Sequence, residues 1–193
     1  MSDLTSKKHM YCDITKRYKK LDIYTMFDKC YFATARFEKC EFTLVDYDKC
    51  TITGCCYTEC GEDRTKFTSC KIRTSEFCGC RYWGIVFLGT EVSGTKYSDV
   101  AFRNMSVDVS EFKCVEFNTV DFTNATISNS KFTDCTFIAC SFNETVVRNC
   151  SFTNCIFRLL NDNDLDGITK DNCITENVTT LDYEGNFINV YNY

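Results

Sequence analysis

From residue 27 to residue 157, every fifth position is apolar with a single exception. The series opens Phe27, Phe32, Phe37, Phe42, Tyr47, Ile52, Tyr57, is interrupted by Glu62, and resumes in the same phase from Phe67 to Phe157. Of its 27 members, 20 are aromatic and six are Ile or Val, and the series holds every phenylalanine of the chain except Phe187. A second series lies two residues earlier, from Thr25 to Cys155, and its members are small or medium-sized. Eleven of its 27 positions are cysteine, among them Cys30, Cys40, Cys50, Cys60, Cys70 and Cys80. The unit is therefore small-x-aromatic-x-x.

A period of five fits neither a helix, which repeats every 3.6 residues, nor a long strand, which repeats every two. It fits a chain that makes a short strand and then a corner. The first and third residues of each unit share a strand face because side chains alternate; the next two turn the corner. Four units close a square, so residues about twenty apart stack as parallel strands roughly 4.8 Å from one another. The predicted fold is all-β, a quadrilateral β-helix of about seven coils over residues 25–159. Gly54, Gly79, Gly84, Gly89 and Gly94 fall at corners, where turns favour residues that tolerate positive φ. A buried, unpaired carboxylate is costly, so Glu62 is expected to swing outward at a bulged corner.

The two ends break the phase. Residues 1–24 read as an N-terminal cap that shields the first coil from edge pairing. Residues 160–193 read as a C-terminal cap or a degenerate last coil. There Ile168, Cys173, Val178, Tyr183 and Ile188 are again five apart and are expected to continue the inward aromatic position, shifted by one residue.

The small-x-aromatic-x-x units resemble the pentapeptide-repeat family, whose consensus places Ala or Cys at the first position and Leu or Phe at the third. The resemblance covers residues 25–159. It implies a right-handed quadrilateral β-helix. It also brings a functional expectation, since gyrase-targeting members are explained as mimics of DNA and commonly dimerise through a C-terminal module. This chain departs from the consensus in favouring Phe over Leu and Cys over Ala, and the acidic or amide residue usual before the aromatic is mostly missing.

Charge narrows the functional classes. Residues 25–159 carry 17 acids and 15 bases, residues 1–24 are net +3 and residues 160–193 net −6. The rod lacks the basic face that direct nucleic-acid binding needs, and it lacks the strongly negative surface of a DNA mimic. No apolar run is long enough to span a membrane or to form a secretory core. With sixteen cysteines, that favours an intracellular, reducing compartment in which the thiols stay free. The absence of proline and the abundance of Asn, Lys, Ile, Phe and Tyr fit an A+T-rich genome, such as that of a large DNA virus or an intracellular bacterium.

Catalytic chemistry has little to build on. His9 is the single histidine, no phosphate-binding loop or dinucleotide fingerprint occurs, and no CxxC spacing suggests zinc. The Asn161–Gly167 stretch has the wrong spacing for a calcium loop. The chain is expected to be no enzyme and to need no cofactor or metal. The leading reading is a rod that works by protein–protein contact, as a scaffold or a structural part of a larger assembly such as a viral particle. The alternative is a DNA-mimicking inhibitor of a type II topoisomerase. Trp83, Val86 and Leu88, with Glu62, Asp63 and Arg64 nearby, are the candidate interface, because Trp is favoured at binding hot spots and apolar patches mark contacts. A homodimer through the C-terminal segment is a further option.

Overall fold

The computed structural model describes residues 8–10, 13–14, 17–19, 22–23, 25–159, 165, 167–182 and 184–187. Every regular element among them is a short strand, and all strand pairing between coils is parallel. Three faces of the solenoid are sheets of nine strands and the fourth is a sheet of five. The fourth continues through the isolated bridges Ala101↔Asp121 and Asp121↔Ser141. Registers step by twenty residues along the body, as in Tyr47↔Phe67↔Phe87 on the first face and Tyr57↔Phe77↔Tyr97 on the third.

The inward positions are buried throughout residues 27–152. Rings of successive coils stack nearly parallel, with centroids 4.5 Å apart for Tyr57 and Phe77 and 4.9 Å for Phe132 and Phe152. Rings on adjacent faces meet edge-on or tilted, as in Phe117 and Phe122. Offset-stacked and edge-to-face contacts of this kind contribute about 0.5–1.5 kcal/mol each beyond the area they bury. The aliphatic members of the series complement one another. On the first face Phe27, Tyr47, Phe67 and Phe87 give way to Val107, Ile127 and Val147, while on the second Ile52, Ile72 and Val92 give way to Phe112, Phe132 and Phe152. Phe87 meets Phe112 edge-on where the pattern changes faces. Each coil from 47 onward thus carries one short inward side chain, which holds the interior volume nearly constant, as close packing requires.

Corner residues lie in the left-handed region whether or not they are glycine. Twenty-three non-glycine residues have φ between 46° and 59°, among them Lys29, Thr34, Arg64 and Val109. The strain, of order 1–2 kcal/mol per residue, is offset because the corner N–H groups along the body reach carbonyls of the next coil, as from Lys29 to Asp48 at 2.8 Å and from Arg64 to Trp83 at 2.9 Å. Glycine is therefore not needed at a corner of this fold.

The end segments extend the solenoid. Lys8–Met10, Asp13–Ile14, Arg17–Lys19 and Asp22–Ile23 pair in parallel with the first regular coil. Tyr18 stacks on Phe37 at 5.1 Å, and Arg17 pairs with Glu38 at 2.6 Å. Lys16, Lys20, Cys12, Tyr183, Ile188 and the 161–164 stretch lie outside the described residues. At the other end Ile168–Asp171, Ile174–Glu176 and Thr179–Leu181 add a last coil. Its register corrects the expectation for this segment. Thr145 pairs with Ile168, and Lys170, Thr175 and Thr180 stand opposite Val147, Phe152 and Phe157. Ile168, Cys173 and Val178 therefore hold the small position, and Lys170, Thr175 and Thr180 take the inward aromatic one. The physical reason is solvation: Lys170 and Thr175 are exposed at the end of the rod, where an inward ring has no following coil to stack on.

Candidate interaction surface

Arg81–Trp83 and Val86–Leu88 are consecutive strands on either side of one corner, Gly84. Trp83 is 56% exposed and stands between Asp63 and Arg103 in its column. Val86 and Leu88 are half-buried on the adjoining face. Val109, at a corner one coil further on, is 60% exposed and extends the apolar surface. Sequence reasoning missed it; the signal was an apolar residue in the corner position. Asp63 and Arg64 flank the tryptophan from the preceding coil and form an exposed ion pair at 3.7 Å. Arg103 is held by Asp121 at 2.7 Å. Five of the six expected interface residues, Asp63, Arg64, Trp83, Val86 and Leu88, thus gather outside one edge of the rod.

Glu62 does not join them. It lies on the strand Gly61–Asp63, in register with Phe42 and Tyr82, and is buried. The expected outward bulge is absent. Bulging would break the ladder that holds Gly61 N–H to Cys40 at 3.0 Å and Arg64 N–H to Trp83 at 2.9 Å, at about 0.5–1.5 kcal/mol per bond. The core instead adapts to the carboxyl. Burial pushes its pKa well above the ordinary carboxylate value, while the nearby Thr65 and Tyr82 hydroxyls favour the charged form. No hydrogen bond of ordinary length and angle reaches either carboxyl oxygen among the described residues.

The surroundings are distinctive. The aromatic series contains only four tyrosines, Tyr47, Tyr57, Tyr82 and Tyr97, and every one lies within two coils of Glu62. All four hydroxyls and the Thr65 hydroxyl are buried without a partner among the described residues. Burial, followed by the Glu62 charge, raises the pKa of Tyr47, Tyr82 and Tyr97. A neutral carboxyl among neutral hydroxyls avoids burying an ion, and a protonated carboxyl can both donate and accept.

A further feature surrounds Trp83. Gly79, Gly84, Gly89 and Gly94 occupy the four successive corners of a single coil, with φ of 63°, 68°, 59° and 55°. Since corners elsewhere carry Lys, Thr, Asn or Asp at similar φ, backbone geometry does not demand this run of glycines. Its consequence is steric. A complete turn of the rod has no corner side chains, so the strands and the indole between those corners are uncovered.

The cysteine columns are hydrogen-bonded structure. The Cys50, Cys60 and Cys70 thiols donate to the carbonyls of Phe27, Phe37 and Tyr47 in the preceding coil, at 3.3, 3.5 and 3.3 Å. Thr90, Ser110 and Thr145 hydroxyls make the same bond to Phe67, Phe87 and Phe122. The small position is thus chosen for a short donor as well as for size, which the mixture of Cys, Ser and Thr in the sequence could have revealed. Burial pushes the Cys55 thiol up to about 11, away from the reactive thiolate form. The fifteen cysteines among the described residues are unbridged. No group of three or more His, Cys, Asp or Glu side chains gathers in a way that could hold a metal ion among the described residues.

A solenoid of four parallel faces built from small-x-aromatic-x-x units defines a class of protein. The family model for pentapeptide repeats matches residues 121–158, in eight copies, and the same register runs unbroken back to Phe27. Residues 121–158 are thus pentapeptide repeats, and the rest of the rod has the same five-residue unit. Its fold is similar to that of trypsin-treated QnrB1, a plasmid-mediated fluoroquinolone resistance protein, with 17% identity, 86% of this chain and 92% of that chain covered, and a TM-score of 0.51. HetL, a pentapeptide repeat protein involved in heterocyst differentiation regulation in the cyanobacterium Nostoc, matches at 7% identity over 93% of this chain and 92% of that one, with a TM-score of 0.28. ORF18 of Geobacillus virus E2 matches at 11% identity over 94% and 48%, with a TM-score of 0.39. No curated protein matches the chain.

Proposed function

We propose that this protein is a non-catalytic rod that binds a protein partner around the coil containing Trp83, as a scaffold or as a structural component of a larger assembly. The observation that carries this reading is the run of four glycine corners, Gly79 to Gly94, around the chain's single, half-exposed tryptophan. Side-chain-free corners let another backbone approach closely, and Trp supplies large contact area at low entropic cost. The near-balanced charge of the rod, 17 acids against 15 bases, suits a protein surface better than a nucleic acid or its mimic.

The test is recovery of tagged protein from its native source, comparing wild type with Trp83→Ala. Being exposed, Trp83 can be truncated with a stability change of about 0.5 kcal/mol or less, so the variant stays folded. A protein recovered stoichiometrically with wild type and lost with Trp83→Ala supports the reading. Recovery of the rod alone in both cases contradicts it.

The fold shared with QnrB1, described as a fluoroquinolone resistance protein, favours a second reading as an inhibitor of a type II topoisomerase. A supercoiling assay separates the two: inhibition at micromolar protein, retained by Trp83→Ala, supports the second reading.

A further inference from the structure

The charges of the rod balance over its length but not coil by coil. Residues 64–90 hold five bases, Arg64, Lys66, Lys71, Arg73 and Arg81, against one acid, Glu76. They are net +4, whereas the remainder of residues 25–159 is net −6. This basic belt leads into the strand Arg81–Trp83, which carries Arg81 and Trp83 on its outward side with the buried Tyr82 between them. Lys66, on the strand one coil earlier, stands opposite Val86.

Part of the belt is neutralised within the chain. Arg64 has Asp63 at 3.7 Å, and Lys71 and Arg73 share Glu91 at 3.7 and 3.9 Å. Lys66 and Arg81 have no ion pair among the described residues. Arg81 is exposed, and its neighbours in the column are Gly61 and Ala101. Glu41, further back in that column, lays its carboxyl over Gly61 without pairing with Arg81. The strand is bounded by the corners Gly79 and Gly84. An unpaired guanidinium thus stands beside an exposed indole, with small residues around it.

The spacing of the two groups selects a partner. Residues two apart on one strand face are about 6.6 Å apart, and any extended segment has the same pitch. A carboxylate two residues from a large apolar side chain meets both groups at once. The guanidinium takes the carboxylate bidentately, and Trp offers the apolar side chain a contact of the kind favoured at binding hot spots. A continuous polyanion fits less well, because Asp63 stands opposite Trp83 and Glu91 opposite Lys71, and like charges there oppose an unbroken row of phosphates.

We propose that the partner of this surface presents an extended acidic segment, with a Glu or Asp on Arg81 and an aromatic or large aliphatic residue two positions away on Trp83. The proposal rests on the reading of the Trp83 coil as a contact surface and adds the chemistry of what it contacts.

Trp83 is the chain's single tryptophan, so its emission reports on this site directly. The test titrates the full chain with three short synthetic peptides: one with the core Glu-Thr-Phe-Thr-Glu, one with Lys in place of Glu, and one with Glu and Phe adjacent. The first is expected to shift the emission saturably, with an affinity that falls as salt is raised. The other two should bind about tenfold more weakly or not at all. Arg81→Gln, at an exposed position that tolerates substitution, should weaken the first peptide about fivefold or more, while Arg81→Lys keeps the charge and retains part of the affinity. Circular dichroism checks that both variants are folded, and the peptide series on wild type decides the matter without them. No response to the first peptide, equal affinity for the Lys or the adjacent-spacing peptide, full affinity in folded Arg81→Gln, or tighter binding of an oligothymidine each overturns the proposal. If the peptide fails while recovery of a native partner still depends on Trp83, the acidic segment falls and the surface stands.

Discussion

At the scale of single residues, Glu62 is the group whose chemistry the fold most alters. Its carboxyl is buried among rings and tyrosine hydroxyls, and burial raises its pKa well above the ordinary 4.5. The unfolded chain releases this proton near pH 4.3, whereas the folded chain keeps it to higher pH. Between those two points the folded state binds one proton more, so its stability is fullest below the unfolded value and falls as pH rises, by about 1.4 kcal/mol per pH unit. Glu62→Gln removes this slope and leaves the protein more stable than wild type at pH 8. Urea unfolding of both proteins at pH 5 and pH 8 checks it: the wild-type loss relative to Glu62→Gln should grow between the two, and parallel behaviour would contradict the account. The burial of Glu62 was not legible from the carboxylate rule alone, because that rule weighs a charged group against an apolar core. Here burial favours the neutral form, and the alternative is a broken ladder. The legible clue was the confinement of Tyr47, Tyr57, Tyr82 and Tyr97 to its neighbourhood in a series otherwise made of Phe, Ile and Val.

At the scale of elements, the body of the solenoid could be read from residues 25–159, because the inward aromatic and the small position differ sharply in size. The last coil could not. Two phases, two residues apart, both repeat every five residues, so Ile168, Cys173 and Val178 fit the inward phase shifted by one residue as well as the small phase shifted by three. Only the partner strand decides, and Thr145↔Ile168 assigns them to the small phase. Gly167, which leads into this coil, is fixed by close approach. A Cβ there would lie 2.8 Å from the Asn143 Cα and 3.1 Å from the Phe142 carbonyl oxygen. Gly167→Ala must shift backbone, at a cost of about 1–3 kcal/mol, and hydrogen exchange should show faster opening of residues 168–181 with residues 27–100 unaffected. Asparagine ladders also tie this coil down. Asn172 donates to Asn149 at 2.8 Å and Asn177 to Asn154 at 3.1 Å, continuing the ladder from Asn149 to Asn129.

At the scale of the whole molecule, the rod is a stack of coils each contacting only its neighbours, so its interior is structural and its outside is free to vary. The outer positions carry both signs and are laced by exposed pairs such as Lys39–Glu59 at 3.3 Å and Lys96–Glu116 at 3.8 Å, which contribute little stability individually. Against that even background the coil with four glycine corners stands out. Trp83, Val86 and Leu88 were legible as an exposed apolar group from their places in the repeat. The importance of the glycines was not, because sequence rules assign corner glycine to positive φ, and only the twenty-three non-glycine corners at the same φ remove that explanation.

The most direct measurement follows from that comparison. In a Gly84→Lys, Gly89→Lys double variant each corner takes a side chain of the kind already present at Lys29, Lys39 and Lys49. The nearest atoms to a Cβ at Gly84 and Gly89 are 3.9 and 3.8 Å away, so space is available, and the change in stability should stay near the roughly 1 kcal/mol per site that loss of glycine at positive φ costs. Co-purification of this folded variant from the native source is predicted to lose the partner that wild type recovers. Retention of that partner at wild-type stoichiometry would contradict the assignment of the glycine-cornered coil as the binding surface.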